Sequence, residues 1–257
     1  MKSLGKFLER MAQRVSGLGY LWQNPSYAEV RRNGGARDLY RLLNKPWLQP
    51  TRIGTVLDVG ANEGQFVKVA RVLFPQAPIL AFEPNPHLRP SLESLISASG
   101  SGALLPFACG REPGVLPLYL TKFSPSASLL QPTGLRIPDY PVAEIGESIQ
   151  VKVERLDDVV RASVLARAPY LLKLDVQGFE LEVLQGATGI LPDVAVILCE
   201  VNAEDFYAGQ AGFEQIYLLM REHGFKLVDI GDPIRARATG EVLYFDVAFF
   251  KPAANAN

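Results

Sequence analysis

From Thr55 onward the chain alternates short apolar runs with amphipathic stretches of helical length, and this alternation constrains the fold more than any other feature. Val56-Leu57-Asp58-Val59-Gly60 reads as a strand, and residues 64–74 read as a helix with Phe66, Val69, Ala70 and Leu73 on one side. Pro75 and Pro78 stop that helix. A second strand over Ile79–Glu83, a helix near Leu88–Ala98 and a third strand over Leu104–Cys109 complete a β-α-β-α-β series. Such a series predicts a parallel sheet covered by helices on both faces. The rhythm returns with a strand at Tyr170–Asp175, a helix at Glu180–Gln185, a strand at Val194–Cys199 and a helix at Phe213–His223. Strands at Lys226–Ile230 and Tyr244–Lys251 follow. The expected architecture is therefore α/β, a doubly wound Rossmann-like sheet of seven mostly parallel strands. The final pair is expected to form an antiparallel edge, by analogy at the level of the fold.

Two regions stand outside this rhythm. Residues 1–50 read as an N-terminal helical extension to a domain spanning 51–257. Within the extension, residues 3–22 form an amphipathic helix, and a second short helix runs over Asp38–Asn44. The first helix suits packing on the protein body or on a second copy in a homo-oligomer. Its basic side would also suit peripheral contact with an anionic membrane. Residues 111–150 are rich in Pro, Gly and Ser, with one strand expected at Val115–Leu120. An irregular insertion of this length is more often functional than idle.

Composition narrows the partners. With 26 Lys and Arg against 27 Asp and Glu, the chain lacks the basic excess of a nucleic-acid binder. No apolar stretch is long enough to span a membrane. Cys109 and Cys199 lie in or beside apolar runs, read as buried free thiols, so a cytoplasmic location is expected.

The chemistry-bearing motifs fall at strand ends, where open parallel sheets bind ligands. In Asp58-Val59-Gly60-Ala61-Asn62-Glu63-Gly64, Gly60 suits the strand-to-helix turn, and Gly64 lets the helix start close to the sheet. A dinucleotide site would need glycine at Asn62 to admit pyrophosphate, so an NAD-dependent oxidoreductase is disfavoured. Asp58 would repel pyrophosphate but suit the sulfonium or amino group of S-adenosyl-L-methionine. Glu83, ending the second strand in Phe82-Glu83-Pro84-Asn85, is placed to accept hydrogen bonds from ribose hydroxyls. Lys173 and Asp175 alternate with apolar neighbours at the end of the fourth strand, and Glu200 reaches the same rim from the next. Asp175, Glu180 and Glu200 together could hold a divalent cation such as magnesium, orient a hydroxyl or act as a general base. His87 and His223 have no visible catalytic partner, and no nucleophile elbow of a serine hydrolase is present.

These blocks resemble the FkbM family of methyltransferases from about Val56 to Lys251. They are, in order, VLDVGANEG, AFEPNP, SPSASL, VERLDDV, LLKLDVQGFELEVLQGA, ILCEVN and REHGFKLVDI. The resemblance implies transfer of the methyl group of S-adenosyl-L-methionine to an oxygen, typically a hydroxyl of a sugar, glycan or secondary metabolite. It implies that Asp58, Gly60, Asn62 and Gly64 line the methionine part of the cofactor, with Glu83 and its neighbour Asn85 at the ribose. It places the loop holding Ser126 and Ser128 near cofactor or acceptor, and Asp175 and Glu180 near the transferred methyl. Asp175 is then the first choice for base or hydroxyl anchor and Glu200 the second, with Lys173 tuning the carboxylate. A non-catalytic scaffold that binds S-adenosyl-L-methionine is the alternative that such a sequence leaves open.

Overall fold

The computed structural model describes residues 24–49, 51–98, 100–121, 127–135, 137 and 145–251. The helix expected over 3–22, with any membrane or subunit contact it makes, lies outside these residues, as does Ser126.

Seven strands form one continuous sheet: β1 (Thr55–Val59), β2 (Ile79–Phe82), β3 (Gly102–Leu105), β8 (Tyr170–Leu174), β9 (Val194–Asn202), β10 (Lys226–Ile230) and β12 (Val242–Phe250). Their spatial order is β10-β12-β9-β8-β1-β2-β3, and the two-residue β11 (Ile234–Arg235) pairs with β12 off this path. Pairing is parallel from β9 through β8, β1 and β2 to β3. Only β12 runs against its neighbours, antiparallel to both β9 and β10. The seven-stranded, mostly parallel sheet expected from the sequence is thus present. All residues of β1, β2 and β8 are buried, as strands covered on both faces must be.

Helices α3 (Gln65–Leu73), α4 (Arg89–Ala98), α5 (Leu156–Ala162), α6 (Glu180–Gln185) and α7 (Phe213–Glu222) follow or separate these strands. Before the sheet come α1 (Pro25–Asn33), which the sequence reading left out, and α2 (Arg37–Leu43). Pro25 stands in the first turn of α1, where its missing N–H costs nothing, and Gly34 ends it with φ 75°. Tyr27, Val30, Tyr40 and Leu43 of these helices enter the same apolar cluster as Val56 of β1 and Phe66 of α3. The described part of residues 1–50 therefore shares its core with the sheet. Val30→Ala should cost about 2 kcal/mol. Denaturant unfolding should show it as a shift of one transition, whereas separate cores on either side of residue 50 would give two.

The stretch expected as one strand over Leu104–Cys109 is two. Pro106 has no N–H to donate and breaks it, and β4 (Ala108–Cys109) leaves for a second sheet. That sheet has the order β4-β7-β5-β6, with β5 (Gly114–Thr121), β6 (Ala127–Ser128) and β7 (Ile145–Glu154). Most of the described insertion is thus built rather than irregular. Ala108, Leu118, Leu120, Val151 and Val153 give it a small core of its own. Among the described residues no helix is long and apolar enough to cross a membrane.

Candidate active site

The strand register sets the site. Asp58 of β1 lies directly beside Lys173 of β8, and Glu200 of β9 lies opposite Asp246 of β12. Four ionisable groups are thereby gathered toward the carboxyl ends of the central strands, where the order of strands reverses between β1 and β8.

Lys173 is 5% exposed and sits inside this group. Its Nζ lies 3.2 Å from Asp58 Oδ1 and 3.5 Å from Asp175 Oδ2, and it donates to the Gly60 carbonyl at 2.7 Å. Burial alone would lower its pKa, but Asp58 and Asp175 outweigh burial and hold the ammonium charged. Asp58 is fully buried, and Lys173 answers its charge from inside the protein. The direct contact between Asp58 and a cofactor cation expected from the sequence is therefore replaced by an internal ion pair. Lys173 likewise fixes the strand end and the glycine turn and does not line the cleft.

The turn itself is tight for backbone reasons. Gly60 has φ 78°, and a Cβ there would run into the Asp175 carbonyl oxygen just past β8. Gly64, with φ 78°, begins α3 where a Cβ would meet Leu92 and Leu95 of α4, so it serves helix–helix rather than helix–sheet packing. Asn62 lies between them with φ 51°. Its N–H donates to Glu83 Oε2 at 2.8 Å, while its side-chain Oδ1 is buried without a partner.

A cleft opens over these strand ends. Its lining follows the strand order: Glu83 past β2, Gly60 and Asn62 past β1, Asp175 and Gln177 past β8, then Glu200 of β9 and Tyr244 of β12. Phe82, Phe107 and Cys109 form an apolar side, and Leu118, Ala127 and Leu129 of the insertion close over it. Glu83 is 5% exposed, and its second oxygen accepts from the Asn85 N–H at 2.8 Å. Burial raises its pKa, against the two backbone N–H groups that favour the charge. Asn85 turns its own Oδ1 to the His87 N–H, so its side chain braces this loop instead of facing the cleft. Ser128 is also buried, and its hydroxyl donates to the Gln177 carbonyl at 2.7 Å. Both are supports of the site in this structure, not walls of it.

The carboxylates beyond the turn divide. Asp175 is 37% exposed at the rim. Burial, with Asp175 and Asp246 nearby, pushes the Glu200 carboxyl well above the usual range. Burial also raises Asp246 to about 7, with Asp175 adding to the rise. Glu180 turns away from the other two, accepting from the N–H groups of Val176 at 3.0 Å and Gly178 at 3.3 Å. Among the described residues no three His, Cys, Asp or Glu side chains are arranged to hold a metal ion, so the trio Asp175, Glu180 and Glu200 is not assembled as a cation site. Glu180 braces the turn after β8.

Burial lifts Glu180 to about 7, which has a consequence for stability. A carboxyl whose folded pKa exceeds its unfolded one stabilises the fold below the unfolded value. That contribution is lost as pH rises through the folded value. Glu180→Gln should match the parent at about pH 5 and exceed it by about 2 kcal/mol at about pH 8, measured by denaturant unfolding.

Two residues at this site were not singled out from the sequence. Asp246 is an acid inside the apolar run Phe245-Asp246-Val247, the same signal that marked Lys173 and Asp175. Gln177 gave no such signal, because an uncharged amide in a loop is unremarkable. Its importance lies in its partners, and its φ of 56° is one of two left-handed non-glycine values among the described residues.

The profile of the methyltransferase FkbM domain matches residues 58–227. The chain belongs to the FkbM methyltransferase family. Among its relatives, 31-O-demethyl-FK506 methyltransferase FkbM of Streptomyces tacrolimicus is 32% identical over 203 residues, covering 70% of this chain and 76% of that one. Hexuronic acid methyltransferase AglP of Haloferax volcanii is 29% identical over 205 residues, 77% of each chain. 2-O-methyltransferase NoeI of Sinorhizobium fredii is 26% identical over 191 residues, 72% and 75% of the two chains.

As a member of the FkbM family, the protein is a methyltransferase that uses S-adenosyl-L-methionine, and the cleft fits that cofactor. The unpartnered Asn62 Oδ1 and the remaining lone pairs of Glu83 offer acceptors at one end, and Phe82 and Phe107 give an apolar wall. Asp175, Glu83 and Glu200 line the cleft, while the nearby cation Lys173 is engaged with Asp58 and Asp175. Asp58 and Asp175 share the single charge of Lys173, and the excess negative charge left at the rim suits a cationic occupant.

Proposed function

We propose that this enzyme methylates a hydroxyl of a sugar, glycan or hydroxylated metabolite, with Asp175 holding that hydroxyl and taking its proton. The observation that carries the reading is the pair of carboxyl groups lining the cleft, Asp175 just past β8 and Glu200 on β9, with Glu83 lining it two strands away past β2. S-adenosyl-L-methionine, when bound, supplies an electrophilic methyl group on a sulfonium. Glu83 and Asn62 would hold the ribose and methionine portions. The chain's further tasks are then to aim a hydroxyl oxygen, exclude water and accept one proton. Asp175, the more exposed acid, suits the role of base. Glu200, pushed toward its protonated form, suits that of a hydrogen-bond donor to the acceptor, since two carboxyls set apart in this way take different roles.

The names of the relatives support oxygen as the methylated atom and sugars or metabolites as acceptors: a 31-O position, a hexuronic acid and a 2-O position. Among the described residues no three acids are arranged to hold a divalent cation, and this reading routes no step through one, so chelator treatment should leave turnover unchanged. A cytoplasmic setting accords with the free, buried thiols of Cys109 and Cys199.

The test is incubation with methyl-labelled S-adenosyl-L-methionine and a panel of glycans and glycosylated metabolites, followed by mass spectrometry for a gain of one methyl. With an acceptor in hand, Asp175→Asn should lower turnover by about 100-fold. Methyl transfer to nitrogen or carbon, or an Asp175→Asn enzyme of full activity, would overturn the assignment.

A further inference from the structure

Asp175 and Glu200 share a single donor. Gln177 Nε2 donates to Asp175 Oδ1 at 2.9 Å and to Glu200 Oε1 at 2.9 Å. Because both bonds begin at one nitrogen, the two carboxyl oxygens lie no further apart than twice that distance. The other end of the amide is fixed as well, since Tyr207 Oη donates to Gln177 Oε1 at 2.7 Å. The acceptor oxygens of the two acids call for the N–H end of the amide, and the Tyr207 hydroxyl, able to donate or accept, then donates to its oxygen. Tyr207 is tied in turn, its N–H donating to Gln210 Oε1 at 3.0 Å and its backbone bridging to Pro132 of the insertion. The Gln177 carbonyl receives the Ser128 hydroxyl.

These bonds are made from a left-handed backbone, which costs a non-glycine residue on the order of 1 kcal/mol. Glycine would meet that backbone demand more easily, as Gly178 does next door with φ 96°. What glycine lacks is the amide.

We propose that Gln177 is the positioning residue of methyl transfer, its amide holding Asp175 and Glu200 as one unit with a set gap for the acceptor hydroxyl. This inference rests on the reading that the two acids face the acceptor. Around the unit stand Lys173 of β8, 3.5 Å from Asp175 on its other side, Asp58 of β1, Glu180 at the start of α6, and Asp246 of β12. Tyr207 and Tyr244 complete its polar surroundings.

The deciding experiment compares the parent with Gln177→Gly, which relieves the backbone and removes the amide. Side-chain carboxyl signals of Asp175 and Glu200 are followed by NMR across pH in isotope-labelled protein. Unfolding and S-adenosyl-L-methionine calorimetry run alongside. Loss of the shared donor should move the carboxyl signals of both acids together. Gln177→Asn, too short to span both acids, should behave the same way, and Tyr207→Phe should give a smaller shift in the same direction. Thermal stability should not fall in Gln177→Gly, and cofactor affinity should stay within about threefold of the parent, a change under ~1 kcal/mol. With the acceptor found by the methylation screen, the acid limb of the pH–rate profile should move by the same amount as the NMR titration.

Titration curves unchanged in Gln177→Gly would overturn the proposal, and so would a shift confined to one carboxyl. A collapse of cofactor affinity in that variant would also overturn it, because the amide would then serve the donor. Should the parent fail to bind S-adenosyl-L-methionine while the carboxyls still shift together, the functional reading falls and the coupling of the acids stands.

Discussion

Lys173→Met is expected to lose about 3–5 kcal/mol of folding stability at neutral pH, because the substitution leaves Asp58 buried without its counter-charge. Neither oxygen of Asp58 accepts an aligned hydrogen bond, so the ammonium at 3.2 Å is its compensation. The loss should depend on pH. Burial already raises the pKa of Asp58, and without the cation it would rise further. A carboxyl raised in the folded state favours the fold at low pH, so the deficit should shrink as pH falls toward the ordinary carboxylate range. Asp58→Asn in the same chain removes the stranded charge, and Lys173→Met with Asp58→Asn should regain much of the loss. Denaturant titrations of the four proteins at two pH values form the double-mutant cycle. A loss below ~1 kcal/mol for Lys173→Met, or no recovery in the double variant, would show that the pair is not what holds the turn together.

The same ion pair marks where sequence reasoning succeeded and where it stopped. Lys173 is conspicuous in the sequence because a charge inside an apolar strand must have a partner. The partner was not legible. Asp58 lies more than a hundred residues earlier, and only the parallel register of β1 and β8 puts the two side by side. Asp58 therefore read as a ligand for an external cation, when an internal one was already provided. The strand–helix alternation was legible because burial on both faces leaves uninterrupted apolar runs, as in β2 and over residues 194–199 of β9. The second sheet was less so, although Ile149, Val151 and Val153 alternate with polar residues in the pattern of a half-buried strand. The proline- and serine-rich composition around them masked it. Gln177 could not have been found this way. Its position depends on a left-handed backbone, on Tyr207 in a distant loop and on Ser128 of β6.

Glu83→Ala is expected to weaken S-adenosyl-L-methionine binding by about 1000-fold, with a comparable loss for S-adenosylhomocysteine. Each Glu83 oxygen already accepts one backbone N–H, from Asn62 or Asn85, which fixes the carboxylate plane. A carboxylate has about four acceptor positions, so roughly two remain for a pair of ribose hydroxyls. Two hydrogen bonds to a charged group at ~1.5–3 kcal/mol each give the expected magnitude. Glu83→Gln should be nearly as damaging despite its shape, because its amide nitrogen would face a backbone N–H of Asn62 or Asn85. The sulfonium provides the internal control. The ribose is common to donor and product, so Glu83→Ala should affect both alike. Asp175→Asn, acting two strands away, should disfavour the charged donor more than the neutral product. Affinity in the parent should also decline as pH is lowered through the raised pKa of Glu83, since a protonated carboxyl loses acceptor strength. Calorimetry with both ligands, on variants first shown to be folded by circular dichroism, separates these effects. Parent-like binding by Glu83→Ala would remove the ribose from this end of the cleft, and the orientation assigned to the cofactor with it.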